Sequence, residues 1–329
     1  MQRIALACVA AAATLSINGC VNSVTFTVPS GTGSSATGSR LVGYLPDYDG
    51  SYADFARTLN FTRMTHLILA FGHAPMCGGP CTAKSDMTIS LHQTDVDIAA
   101  LVNATHAAGV KATLSLGGGD APGDASISQF YLAGLSTQFA AAVDAYVNAH
   151  NLDGVDVDIE EPATTGAPYG TFVSALAARM HAESKLLSAA VAPYFESGIP
   201  DSALAQFDFL NEMTYATYTQ AVSDLDYYAL VKGIAADKIV LGVPFFASNA
   251  DGSLAVPYSQ LLAAYPNAWQ SDAVSGGPLD GGAPLYYVGE ATMAKETQLG
   301  AKFGGIMLWE LSQDAAPPHS LLDVIRKNL

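Results

Sequence analysis

Short apolar runs recur along the chain, at residues 41–46, 65–72, 110–117, 154–160, 187–193, 207–215, 238–246 and 304–310. Between them lie segments with helical spacing, at 94–109, 127–150, 169–184, 223–235, 289–301 and 319–328. Strands this apolar that alternate with helices predict a parallel sheet buried on both faces. Asp95 and Asp97 suit the first turn of the helix at 94–109, and Gly109 suits its stop. Eight such strands predict an α/β fold closed into a (β/α)8 barrel rather than an open doubly wound sheet. No Gly-x-Gly-x-x-Gly run follows the first strand, which argues against a dinucleotide fold.

One run breaks the apolar pattern. Residues 153–160 read Asp-Gly-Val-Asp-Val-Asp-Ile-Glu. Strand side chains alternate faces with period two, so Asp156, Asp158 and Glu160 point one way while Val155, Val157 and Ile159 point the other. Carboxylates crowded on one strand repel each other and lose hydration, which raises at least one pKa toward neutrality. Glu161-Pro162 then ends the strand, because proline cannot donate the next ladder bond. The row therefore opens into a loop at a strand's C-terminal end, where a parallel barrel keeps its chemistry. A calcium loop would need Gly and Asn/Asp in a flexible turn, whereas the intervening residues here are β-branched strand formers.

This run resembles the signature of glycoside hydrolase family 18, the chitinases and their relatives, Asp-Gly-x-Asp-x-Asp-x-Glu. All of its specified positions match, and weaker matches extend the resemblance over 40–328. Ser115-Leu116-Gly117-Gly118 resembles the family's Ser-x-Gly-Gly motif, whose glycines let backbone approach the acidic row. Asp208, Met213 and Tyr215 resemble its sixth-strand pattern, although Ala216 stands where Asp or Asn is usual. Residues 241–246 resemble the seventh-strand motif, but Phe246-Ala247-Ser248 replaces the usual Tyr-Gly-Arg. Residues 304–310 resemble the eighth-strand motif, in which Trp309 forms the floor under the sugar at the cleavage site. Tyr44 and Phe71 on the first two strands join Trp309, Met213, Ser115, Gly117 and Gly118 as expected substrate-binding residues. Trp269 is left open between an outer sugar platform and a scaffold contact. Glu212, opposite in phase to Met213, faces the helix layer; it needs a partner or stays neutral, and takes no catalytic role. The stretch 247–303 is short for the α+β insertion domain of many processive chitinases, so one domain with a shallower cleft is expected.

The resemblance implies a retaining mechanism in which the substrate's own 2-acetamido group is the nucleophile. Glu160 would protonate the glycosidic oxygen and then activate water. Asp158 would orient the acetamido group and stabilise an oxazolinium ion, Asp156 would share charge or a proton with Asp158, and Tyr215 would steady the acetamido carbonyl. Neither a metal nor an organic cofactor is needed. The implied substrate is chitin or its oligomers. The alternatives are an endo-β-N-acetylglucosaminidase acting on N-glycan cores, and a non-catalytic sugar-binding lectin.

Composition narrows the partners. The 329-residue chain carries a formal net charge of −16, which disfavours nucleic acid. Residues 1–20 combine Arg3, an apolar stretch too short for a stable span, and Ile17-Asn18-Gly19-Cys20. They resemble a bacterial lipoprotein signal with Cys20 as the lipidated first residue, the alternative being an ordinary secretory peptide. Residues 21–39, rich in Ser, Thr and Gly, read as a tether, leaving 40–329 for the barrel. A protein anchored at, or exported across, a bacterial envelope sits in an oxidising compartment, so Cys77 and Cys81 read as a small loop disulfide. A zinc site there would need two more ligands; His73 is near, but no fourth candidate is evident. A monomer is favoured.

Overall fold

The computed structural model describes residues 39–329 except Asp120, Ser197 and Asp280; the leader, Cys20 and the tether to residue 38 lie outside the described residues. Seven strands, β1 (Arg40–Pro46), β2 (His66–Gly72), β3 (Lys111–Gly117), β4 (Gly154–Asp158), β5 (Leu186–Val191), β6 (Phe209–Glu212) and β7 (Ile239–Pro244), follow one another around a parallel barrel. Four shorter strands intervene: β8 (Phe246–Ser248), β9 (Ala255–Pro257), β10 (Ala273–Val274) and β11 (Leu285–Tyr286). Then β12 (Gly305–Trp309) closes the ring against β1, with Arg40 opposite Gly305 and Val42 opposite Met307.

The two alternating faces of the strands build two cores. Leu45, Leu67, Leu69, Leu114, Leu116, Val155 and Val157 point outward into a continuous layer shared with the helices. Val42, Tyr44, Ile68, Ala70, Phe209, Val240 and Met307 form a smaller cluster. Polar side chains on β3 to β6, namely Ser115, Asp156, Ser188 and Asn211, are also fully or almost fully buried. Ladder register puts Ser115 beside Asp156 and Asp156 beside Ser188.

Most predicted helices are present. Asp95–Ala107 is capped by the Thr94 hydroxyl, which accepts from Asp97 N at 3.2 Å, and Gly109 follows at φ 73°. The single helix predicted at 127–150 is instead two, Ala121–Leu132 and Ser136–Ala149, separated by a turn in which Gly134 has φ 76°. The apolar spacing runs through that turn because Phe130 and Phe139 stack across it, 4.5 Å between centroids. The helix predicted at 223–235 begins earlier, as Tyr218–Asp226, because Thr217 caps Gln220 N.

Strands end sooner than their apolar runs. Glu160 lies two residues past β4, and Met213 and Tyr215 lie past β6. Asp208, grouped with them on sequence, precedes β6; its carboxylate accepts Leu187 N at 2.8 Å, at the opposite end of the strand from the mouth. The 247–303 segment holds a small antiparallel sheet, ordered β10-β11-β8-β9, and the helix Tyr258–Ala264. Its strands of two or three residues are too short to show a period in sequence. Cys77 and Cys81 form a disulfide. Among the described residues no helix is long and apolar enough to cross a membrane.

Candidate active site

The acidic row stands where β4 leaves the ladder, and its three carboxyls differ in environment. Asp156 is fully buried and accepts four hydrogen bonds: from Tyr44 at 2.8 Å, Ser115 at 2.8 Å, Ser188 at 2.6 Å and Asn211 Nδ2 at 3.1 Å. Burial pushes its pKa up, and the four donors oppose that push. Asp158 is 3% exposed, and its Oδ1 has no hydrogen-bond partner among the described residues. Burial, then the charges of Glu160 and Asp156, hold its pKa well above the carboxylate range. Glu160 keeps partial exposure, and burial pushes it up to about 7 against the Tyr194 hydroxyl, which donates to Oε2 at 3.4 Å. Burial and mutual repulsion thus push both of the last two carboxyls toward keeping a proton at higher pH than a free carboxylic acid would.

Backbone packs against this row at three successive glycines. Gly117 has φ 105°, and a Cβ there would fall 2.2 Å from the Asp158 carbonyl oxygen. Gly118 has φ 99°, and a Cβ would fall 2.7 Å from the Phe71 ring; its N–H donates to Asp158 O at 2.7 Å. At Gly119 the Cβ would meet Glu160 Oε1 at 2.8 Å. The first two glycines match the expected close approach to the acidic row, and Gly119 extends it to the side chain of Glu160.

Aromatic groups surround the row. Trp309, at the end of β12, stacks on Phe71 with centroids 5.5 Å apart and planes at 18°, and Tyr44 tilts against it at 5.7 Å. Met213 and Tyr215 pack on the same interior cluster. The Tyr215 hydroxyl lies 3.8 Å from Met307 Sδ, and burial with the Asp158 and Glu160 charges raises its pKa. Phe71, Glu160, Tyr194, Tyr215 and Trp309 thus come from the C-terminal ends of five barrel strands or the loops just beyond them.

Three residues expected to touch substrate make protein contacts here. Tyr44 and Ser115 are buried, at 1% and 0% exposure, and their hydroxyls hold Asp156 from below. Asp156 bonds to those groups rather than to Asp158, so the expected sharing of a proton between them is not a direct hydrogen bond here. Phe71 is also buried and supports Trp309. Trp269 stacks on His319 at 4.7 Å, a scaffold contact. Glu212 is buried beside the Thr214 hydroxyl, which donates to Asp224 at 3.0 Å, and burial raises its pKa well above the usual range.

The sequence reading missed four residues of the site. Ser188 and Asn211 carry a signal, since each is a polar residue inside an apolar strand. Tyr194 follows the end of β5, the position that marks barrel chemistry. Asp124 carries none. It reaches from the helix Ala121–Leu132 to accept the backbone N–H groups of Glu160 at 3.0 Å and Glu161 at 2.7 Å. Burial pushes Asp124 up to about 8.

Comparison with known proteins agrees with this geometry. The model of glycosyl hydrolases family 18 matches residues 40–314. The chitinase ChiB from the chitin utilization locus of Flavobacterium johnsoniae superposes with a TM-score of 0.75 at 26% identity, over 89% of this chain and 94% of that one. A chitinase from Bacteroides thetaiotaomicron gives a TM-score of 0.74 at 21% identity, over 89% and 96%. A mutant family 18 chitinase from Cycas revoluta, solved with (GlcNAc)4, gives 0.69 at 18% identity, over 88% and 99%. At such identities the last two show the fold alone. No curated protein matches the chain.

Proposed function

The chain belongs to glycosyl hydrolases family 18, and from that premise we propose that it hydrolyses β-1,4 bonds between N-acetylglucosamine units of chitin or chitooligosaccharides, with retention. The observation that carries this reading is the buried Oδ1 of Asp158, without a partner among the described residues, beside Glu160, whose pKa burial pushes up to about 7. An orphaned buried acceptor is costly unless a ligand donor fills it. The N–H of a 2-acetamido group is such a donor. Bound there, it would turn the acetamido oxygen toward C1, so the nucleophile is already in place and the advantage is one of proximity. Glu160 would give its proton to the glycosidic oxygen as that bond breaks and the oxazolinium ring closes. It would then take a proton from the water that opens the ring. Asp156, held by four donors, would stand as a fixed hydrogen-bonded group behind Asp158. Tyr215 would donate to the acetamido oxygen, and Trp309 would present its plane to the pyranose. The Cycas revoluta complex with (GlcNAc)4 supports an oligomeric N-acetylglucosamine ligand for this fold. A lipid at Cys20 would place the barrel at the cell envelope, a proposal that rests on the leader sequence.

The test offers the purified protein chitin oligomers and a chitobiose-core glycopeptide and resolves products by mass. Cleavage of oligomers is expected. Cleavage of the glycopeptide alone would move the assignment to glycan release, and binding of either without cleavage would make the protein a lectin.

The same assay run across pH checks the acid. With Glu160 at about 7, its proton is present below that value and lost above it. Turnover should therefore fall as pH rises through about 7, roughly tenfold per unit once well above it. A flat rate between pH 6.5 and 8.5 would exclude Glu160 as the group that must be protonated.

A further inference from the structure

A second cluster of ligating side chains stands at the C-terminal ends of β1 and β2. Asp47 follows β1, His73 follows β2, and His92 lies just before the helix Asp95–Ala107. One carboxylate oxygen and one ring nitrogen from each histidine all lie within 4.8 Å of one another. We propose that Asp47, His73 and His92 bind one divalent d-block cation of the zinc class, which ties the 73–92 loop to the end of β1.

The donor set favours that class. Two imidazoles and one carboxylate suit zinc and its neighbours, whereas calcium and magnesium take oxygen ligands almost throughout. Three protein ligands leave a further position for water.

Backbone bonds bring the three residues together. Asp47 N donates to Ala70 O at 2.6 Å, fixing it against β2. His73 and Ser90 exchange backbone hydrogen bonds, both at 3.0 Å, which carries His92 back to the start of the loop. The His92 N–H donates to Asp47 Oδ2 at 2.5 Å. The Gln93 amide donates to Asp47 O at 2.6 Å and Gly50 O at 2.9 Å, locking the same corner.

Only side-chain motion separates this arrangement from coordination. His92 Nδ1 already stands 3.3 Å from Asp47 Oδ2, and the two imidazole centroids are 5.4 Å apart. Tetrahedral zinc with bonds of about 2.0–2.1 Å sets its ligand atoms about 3.4 Å apart. The widest separation, at most 4.8 Å, must therefore close by no more than about 1.4 Å. The His92 side chain is 70% exposed and can rotate to do so, while the carboxylate it faces is buried. An ordinary Asp–His pair would need only His92; the ladder with Ser90 adds the second imidazole. The loop also carries the Cys77–Cys81 disulfide, so a cation would be its second cross-link.

The experiment strips the purified protein with a chelator and titrates it calorimetrically with zinc chloride, then with magnesium chloride. Expected are one equivalent of zinc, no saturable magnesium binding, and a melting temperature that rises with zinc. His92→Ala and His73→Ala should each lower zinc affinity about a hundredfold or more and abolish the thermal shift. His92 is exposed, so His92→Ala should melt with the metal-free wild type, which separates lost coordination from lost folding. Absence of saturable zinc binding up to ~0.1 mM would overturn the proposal. So would affinity unchanged in either histidine variant, which would put the zinc on other groups.

Discussion

Glu160→Gln should lower turnover of a chitin oligomer about a thousandfold, which is roughly 4 kcal/mol of transition-state stabilisation. Glutamine keeps the shape and the contact with the Tyr194 hydroxyl, which stands 3.4 Å from Oε2, but has no proton to give to a leaving oxygen. The fold should survive, and the sign of the stability change follows from the raised pKa. In the folded protein Glu160 titrates at about 7, whereas the unfolded chain releases that proton near 4.5. Between those values the folded state binds more protons than the unfolded one, so stability falls as pH rises through the window and stays reduced above it. A neutral amide removes that loss. The variant should therefore melt no lower than wild type at pH 8 while binding oligomers with similar affinity. Calorimetry at that pH beside a single-turnover assay reads both, and near-wild-type hydrolysis would remove Glu160 from the mechanism.

The second large effect is at Asp158. Asp158→Asn should lower kcat by about two to three orders of magnitude with KM changed little, because its charge matters most as the oxazolinium ion forms. The asparagine can still offer a carbonyl oxygen to the acetamido N–H, so ground-state binding is largely retained. It cannot become negative as the oxazolinium ion forms. A variant that raises KM alone would show that Asp158 only binds. A wild-type enzyme that cleaves the analogue lacking the 2-acetamido group at a comparable rate would refute substrate assistance.

Both predictions concern residues that period-two alternation alone put on one face, and the local part of this protein was legible for that reason. Asp156 and Asp158 are neighbours along β4, so their common direction follows from backbone geometry, and Glu160 stands two residues beyond its end. The Ser-x-Gly-Gly turn was legible too, since glycine is what a positive φ or a close approach leaves behind. What alternation could not show is depth. Tyr44 and Ser115 share the inward face, yet they end beneath Asp156 and not beside a sugar. Gly134 split a helix because apolar spacing alone does not show a turn that the packing of Phe130 on Phe139 bridges.

The sequence by itself determined the barrel and the acidic row, because each depends on periodicity within short stretches of chain, and it pointed to the family through the resemblance of residues 153–160 to a known signature. Only the tertiary structure decided how the three carboxyls divide their work. Asp156 is fixed by donors from β1, β3, β5 and β6, and Asp158 keeps an oxygen without a partner among the described residues. Asp124 reaches back from a helix to hold the backbone of Glu160. The same holds for Asp47, His73 and His92, which meet through a cross-loop ladder. A pKa depends on burial and on donors brought from distant strands, and those are properties of the closed barrel rather than of any one segment.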